Sequence, residues 1–106
     1  MNEKINIILK QLKSEFETLY GNRLVKMVLY GSQARGDAEF GSDIDVLVVL
    51  KGPVNPGEEI KRTIAITADL SLQNDEVISC LYMDEDRFTQ YNGPLLGNIR
   101  KEGIAL

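Results

Sequence analysis

Two aspartates, Asp43 and Asp45, stand at the start of an apolar stretch and have the clearest potential for chemistry. If this stretch is a β-strand, both carboxylates project to one side and Ile44 projects to the other. Two carboxylates so close together repel, and one would normally hold a proton. A divalent cation removes that conflict, and Mg²⁺ prefers oxygen ligands with positions left for water and phosphate. The spacing therefore predicts a magnesium site, with a pair of solvated acids as the alternative.

A glycine–serine pair, Gly31 and Ser32, follows another apolar stretch and is typical of a phosphate-binding turn. A strand that ends in Gly-Ser and turns into a helix presents free N–H groups, a hydroxyl and the positive end of a helix. Gly31 would let a phosphate approach the backbone because it has no side chain. Arg35 could add a charge-assisted contact to the phosphates. The alternatives are that Ser32 only caps the helix and that Arg35 pairs with Asp37 or Glu39.

A third carboxylate would complete a two-metal site, in which one metal activates the attacking hydroxyl and the other holds a triphosphate. Asp75 is the candidate because it stands at the mouth of the third predicted strand. If that strand lies beside the strand of Asp43 and Asp45, its carboxylate can converge on the same metal. Glu76 would point to the opposite face and is the weaker choice.

The elements that must position these residues alternate between helices and strands. Apolar spacing predicts helices over 2–20, which Gly21 ends, and over 58–72, where Ile60, Ile64, Ala68 and Leu72 form one stripe. Shorter helices are predicted over 32–35, 84–91 and before Gly103. Strands are predicted over 24–30, 43–50 and 75–82, the second covered on both faces. We therefore predict an α/β domain with a small mixed sheet of about three strands flanked by helices.

Length and composition exclude several classes of function. The 106 residues allow one domain, over 1–106, with a modest core. A net charge of −4 and scattered basic residues argue against direct nucleic-acid binding. With one cysteine and no histidine, the chain can form neither an internal disulfide, a His-based catalytic centre nor a His/Cys zinc site. No signal peptide or membrane-spanning stretch is visible, so we expect a cytoplasmic protein that does not contact a membrane.

The two motifs together resemble the signature of the DNA polymerase β-like nucleotidyltransferase superfamily, which is Gly-Ser, ten residues and Asp-x-Asp. Gly31-Ser32 and Asp43-Ile44-Asp45 have that spacing. The segment 34–36, Ser42 and the tail over 94–103 also look like minimal members of the superfamily, so the resemblance covers nearly the whole chain. It implies the polymerase β-like palm fold and transfer of a nucleoside monophosphate from ATP to a hydroxyl group.

The resemblance also implies a role for each candidate residue. Gly31 and Ser32 would touch the β- and γ-phosphates, and Asp43 and Asp45 would bind metal. Asp75 would be the third metal ligand and the general base, although the third acid of the superfamily has no fixed spacing. The implied cofactors are two Mg²⁺ ions, with ATP as the substrate.

Minimal members of the superfamily resemble the antitoxins of toxin–antitoxin pairs whose toxin is a HEPN-domain ribonuclease. This likeness implies that the chain transfers AMP to a tyrosine of such a toxin and thereby neutralises it. The length supports a protein acceptor, because 106 residues leave little chain to form an acceptor pocket. Two alternatives stay open, which are a non-catalytic antitoxin that covers its toxin and a transferase for a small molecule such as an aminoglycoside.

Overall fold

The computed structural model describes residues 2–106, which alternate between helices and strands as predicted. In chain order the elements are α1 (Glu3–Tyr20), a 3₁₀ turn (Gly21–Arg23), β1 (Leu24–Tyr30), α2 (Ser32–Arg35), β2 (Ile44–Leu50), α3 (Pro56–Asn74), β3 (Ile78–Asp84), α4 (Glu85–Gln90), α5 (Pro94–Glu102) and β4 (Ile104–Ala105). Within residues 2–106, no helix is both long and apolar enough to cross a membrane.

The four strands form one mixed sheet in the order β3-β2-β1-β4. Strand β2 is antiparallel to β1 and parallel to β3, and β4 pairs antiparallel with β1. The mixed sheet is therefore confirmed, with one strand more than predicted. Strand β4 has only two residues, Ile104 and Ala105, which is too short for any alternation of apolar and polar residues to indicate a strand.

Strand β2 is covered on both faces, as its continuous apolar sequence predicts. The residues Ile44, Val46, Val48 and Leu50 pack on the face that α1 covers. Leu47 and Val49 pack on the opposite face with residues of α5. All six side chains are fully buried, and burial of such a side chain contributes about 1.5–3 kcal/mol. This rigid strand holds the Asp-x-Asp pair at its N-terminal end.

Helix α1 begins and ends where the sequence predicts. The Asn2 side chain accepts a hydrogen bond from the backbone N–H of Ile5 at 2.8 Å, which caps the first turn. Gly21 ends the helix with φ of 54°, a conformation that favours glycine. The residues that α1 buries are apolar, among them Ile8, Leu12 and Phe16.

Helix α3 buries a different face from the one that its apolar stripe suggests. Ile60, Ile64 and Leu72 are 48%, 54% and 84% exposed, whereas the buried residues are Glu59, Thr63, Thr67 and Leu70. The polar face is buried because its groups have partners there: Thr63 hydrogen-bonds to the Tyr82 hydroxyl. The helix also extends to Asn74, so β3 starts three residues later than the predicted strand.

Glu59 is the centre of a polar network that joins α1, α3 and the 3₁₀ turn before β1. Its carboxylate accepts hydrogen bonds from the Tyr20 hydroxyl at 2.8 Å, from Arg23 at 3.0 Å and from Arg62 at 2.6 Å. Arg23 also donates to the carbonyl of Lys51, beyond β2. The network thereby ties α3 to the end of β1 and β2 that lies away from the Asp-x-Asp pair. Burial by itself raises the pKa of Glu59, but these three hydrogen bonds outweigh it and lower the pKa.

We expect Glu59→Ala to lower the free energy of unfolding by about 1–3 kcal/mol at pH 7, because Tyr20 and Arg23 lose their buried acceptor. The lowered pKa means that the Glu59 contribution is fully present above the unfolded-state pKa of about 4.3 and is lost as the pH falls through the folded-state value. Urea unfolding of both proteins from pH 7 to pH 3 measures this. A difference between the two proteins that does not shrink in acid would contradict the assignment.

Candidate active site

The Asp-x-Asp pair faces the Gly-Ser turn across two neighbouring antiparallel strands. Asp45 lies opposite Tyr30, the last residue of β1, and Gly31 follows at once. A Cβ atom built on Gly31 would lie only 2.5 Å from Oδ2 of Asp45. Asp43 directly precedes β2, and its charge acts on Asp45. The structure thus brings Gly31, Asp43 and Asp45 together.

Only glycine fits at position 31. Its φ of 75° and ψ of −157° are disfavoured for residues with a side chain. Any side chain would also collide with the Asp45 carboxylate. Gly31 occupies the N-cap position of α2, and Ser32 is the first residue of that helix rather than its N-cap. The alternative in which Ser32 only caps the helix is therefore wrong.

The loop between the two motifs is fixed by local hydrogen bonds. The N–H of Glu39 donates to the hydroxyl of Ser42 at 3.0 Å, and the N–H of Ser42 donates to the carbonyl of Glu39 at 3.0 Å. The side-chain amide of Gln33, in α2, donates to the carbonyl of Ser42 at 3.5 Å. These bonds hold α2 against the residue that precedes Asp43.

The carboxylates are held in an electrostatically unfavourable arrangement. Burial raises the pKa of Asp45, the nearby charge of Asp43 raises it further, and Arg35 lowers it. Tyr30 beside it has a raised pKa as well, first because of burial and then because of the Asp45 charge. A divalent cation bound between the two carboxylates would offset their repulsion, so the two side chains fit a Mg²⁺ ion.

Arg35 lies near the pair but already has partners. Its guanidinium contacts Asp37 at 3.2 Å and Glu102, at the end of α5, at 3.5 Å. The predicted alternative of an ion pair with Asp37 is therefore confirmed. A phosphate contact would require Arg35 to exchange one of these exposed carboxylates for the phosphate, which costs little because surface ion pairs are weak.

Asp75 is not brought together with the pair. It is the C-cap of α3, with φ of 52°, and not part of β3. Its side chain lines a groove of about 470 Å³ with Lys4, Phe40 and Leu72, a groove that neither Asp43 nor Asp45 lines. Within residues 2–106 no three His, Cys, Asp or Glu side chains lie close enough to hold a metal together. The assignment of Asp75 as third ligand and base thus stays a prediction without geometric support.

Sequence reasoning missed the residue that does stand beside the pair on β3. Strands β2 and β3 are parallel, and Asp45 lies directly beside Ser79 in their register. Ser79 is exposed, and its neighbour two positions on, Leu81, packs with Leu47 on the face that Asp45 shares. The signal for Ser79 is the register of two parallel strands, which cannot be read from residue spacing alone.

Comparisons with known proteins give one family. The model of the nucleotidyltransferase domain family matches residues 9–96. A protein of Methanocaldococcus jannaschii named "Putative protein adenylyltransferase MJ0604" is 33% identical over 107 residues, which cover 100% of this chain and 99% of that protein. A second protein of the same organism, "Putative protein adenylyltransferase MJ0141", is 36% identical over 72 residues, which cover 68% of this chain and 72% of that protein.

Solved structures have the same fold at low sequence identity. A chain of the toxin–antitoxin pair MntA–HpeT aligns with a TM-score of 0.62 at 17% identity, over 99% of this chain and 72% of its own length. A toxin–antitoxin structure with AMP-PNP gives a TM-score of 0.63 at 17% identity, over 98% of this chain and 72% of its own length. A structure described as a "putative minimal nucleotidyltransferase" gives a TM-score of 0.60 at 17% identity, over 95% of this chain and 94% of its own length. The mixed α/β fold of minimal nucleotidyltransferases, which the resemblance implies, is thereby confirmed.

We expect Gly31→Ala to lower the free energy of unfolding by about 1–3 kcal/mol, because alanine is strained at this φ and its methyl group collides with Asp45. Affinity for Mg²⁺-nucleotide should fall as well, because Asp45 must move. Thermal unfolding and calorimetric titration measure the two effects. Gly97→Ala in α5, where a methyl group meets open space, is the control and should leave both unchanged or raise stability slightly. Equal behaviour of the two variants would contradict the close packing of Gly31 against Asp45.

Proposed function

The chain belongs to the nucleotidyltransferase domain family, and from that premise we propose that it transfers AMP from ATP to a hydroxyl group on a partner protein. The observation behind this proposal is the Asp43–Asp45 pair facing the Gly31 turn at close contact. The family and the names of two curated relatives support the reaction class. A solved relative with AMP-PNP supports an adenine nucleotide as the substrate.

In this proposal each residue has a role that its position allows. The backbone of Gly31 and the hydroxyl of Ser32 bind the triphosphate at the start of α2. Asp43 and Asp45 hold Mg²⁺, which when bound would stabilise the charge that develops at the phosphates during transfer. Arg35 adds a charge-assisted contact after it leaves Asp37 or Glu102. The expected second Mg²⁺ ion would need Asp75 as an additional ligand, but Asp75 does not lie beside Asp43 and Asp45.

A protein acceptor is supported by the surface of α3. Its apolar stripe of Ile60, Ile64 and Leu72 is exposed, and such an arrangement is typical of a surface that binds another protein. Three of the matched solved structures are toxin–antitoxin complexes. We therefore propose a cognate toxin of the HEPN class as the partner and one of its tyrosines as the acceptor. The proposed location is the cytoplasm, where ATP is available.

A second candidate function is a non-catalytic antitoxin, which would neutralise its partner by binding alone. The observation in its favour is that the expected third carboxylate, that of Asp75, does not join Asp43 and Asp45 in a group of three within the described residues. The two functions differ in whether neutralisation needs the Asp43 and Asp45 carboxylates.

We expect label from [α-³²P]ATP to appear on the protein encoded beside this chain when both are incubated with Mg²⁺. The variants Asp43→Asn and Asp45→Asn should each lower the rate at least about 100-fold, because the metal loses a charged ligand. Gel autoradiography and mass spectrometry of the acceptor measure this. Label that appears only on a small molecule would replace the protein acceptor by the small-molecule alternative.

Two controls separate loss of chemistry from loss of structure. Asp45→Asn should be at least as stable as the wild type. Burial and, second, the charge of Asp43 raise the pKa of Asp45, and a neutral amide avoids both penalties. Asp86→Asn changes an exposed carboxylate on α4, away from both the Asp pair and α3, and should transfer label normally. Full transfer by Asp45→Asn would refute the role of Asp45 as a metal ligand in the reaction. Full neutralisation of the partner without any transfer would establish the non-catalytic antitoxin.

A further inference from the structure

The register of β2 and β3 determines which side chain can join the Asp pair from the third strand. Adjacent strands lie about 4.8 Å apart, and directly paired residues of parallel strands project to the same face. Asp45 pairs with Ser79, and the following pairs Leu47–Leu81 and Val49–Met83 lie together on one face of the sheet. Ser79 therefore stands at the position from which a side chain on β3 would reach a metal held by Asp43 and Asp45.

Neither of the two acids that precede β3 lies beside Asp45. Asp75 ends α3 in the left-handed conformation and lines the groove with Lys4 and Phe40. Glu76 is mostly buried and forms an ion pair with Lys4 of α1 at 3.4 Å. The backbone carbonyl of Val77 then accepts the N–H of Ile44, which starts the parallel pairing. Neither acid is therefore on the part of β3 that runs beside Asp45.

We infer that this chain's own residues form a two-carboxylate centre for one divalent cation, with Ser79 at the position of the missing third carboxylate. The inference rests on the proposed function for the nucleotide that shares the cation. A serine hydroxyl can contribute a neutral oxygen ligand, but it does not supply the negative charge of a carboxylate. The two charges of Asp43 and Asp45 balance one divalent ion, so a second ion has no further charge from the chain to hold it.

Electron paramagnetic resonance of Mn²⁺ tests the number of ions without measuring activity. The probe is the full chain with Mn²⁺ and an ATP analogue in which a methylene group joins the α- and β-phosphorus atoms, so that no transfer occurs. Two ions in a shared site lie about 3.5–4 Å apart and give an exchange-coupled spectrum. We expect the wild type to give the spectrum of isolated Mn²⁺, with no coupled pair.

Ser79→Asp should produce the coupled pair, because it supplies the missing charge at the correct position. Ser79→Asn, which has nearly the same size but no charge, is the matched control and should keep the isolated signal. A coupled pair in the wild type that Asp75→Asn removes would overturn the inference and leave the proposed function intact. Isolated Mn²⁺ in a folded Ser79→Asp variant would also overturn it. Absence of any Mn²⁺-nucleotide complex in the wild type would overturn both the inference and the proposed function.

Discussion

The close approach of the Asp45 carboxylate to the backbone of Gly31 is the contact on which the rest of this structure depends. It requires a residue without a side chain at the turn, because a Cβ atom there would lie 2.5 Å from Oδ2. It also requires a rigid strand behind Asp45, because a half-buried carboxylate beside Asp43 would otherwise turn towards solvent. The fully buried residues of β2 supply that rigidity from both faces of the sheet. The repulsion between the two acids is thus maintained by packing.

The remaining elements stabilise this arrangement from a distance. Helices α1 and α5 cover opposite faces of the sheet, and the Glu59 network fixes α3 at the end of β2 that lies away from the aspartates. The stabilising polar contacts and the destabilising carboxylates are therefore separated by the length of one strand. This separation is expected of a functional site, where local strain is offset by packing elsewhere.

The sequence predicted local features well because they are encoded by neighbouring residues. The alternation of Asp43 and Asp45, the Gly31 turn and the buried strand behind them depend on a few adjacent positions. Features that depend on partners distant in sequence were not predictable. The apolar stripe of α3 indicates a helix but not that Thr63 would be buried against Tyr82, and the position of Asp75 before a strand does not reveal that α3 extends to Asn74. Ser79 becomes visible only when β2 and β3 are known to be parallel.

The most direct test of the central claim is the location of the bound cation relative to the Gly31 turn. Mn²⁺ added to ¹⁵N-labelled protein with a non-transferable ATP analogue broadens the amide signals nearest to the ion. The account predicts selective loss of the signals of Gly31, Ser32 and Asp45, while those of Arg23 and Lys51, at the other end of the sheet, stay sharp. Broadening centred on Asp75 and Leu72 with an unaffected Gly31 would contradict it.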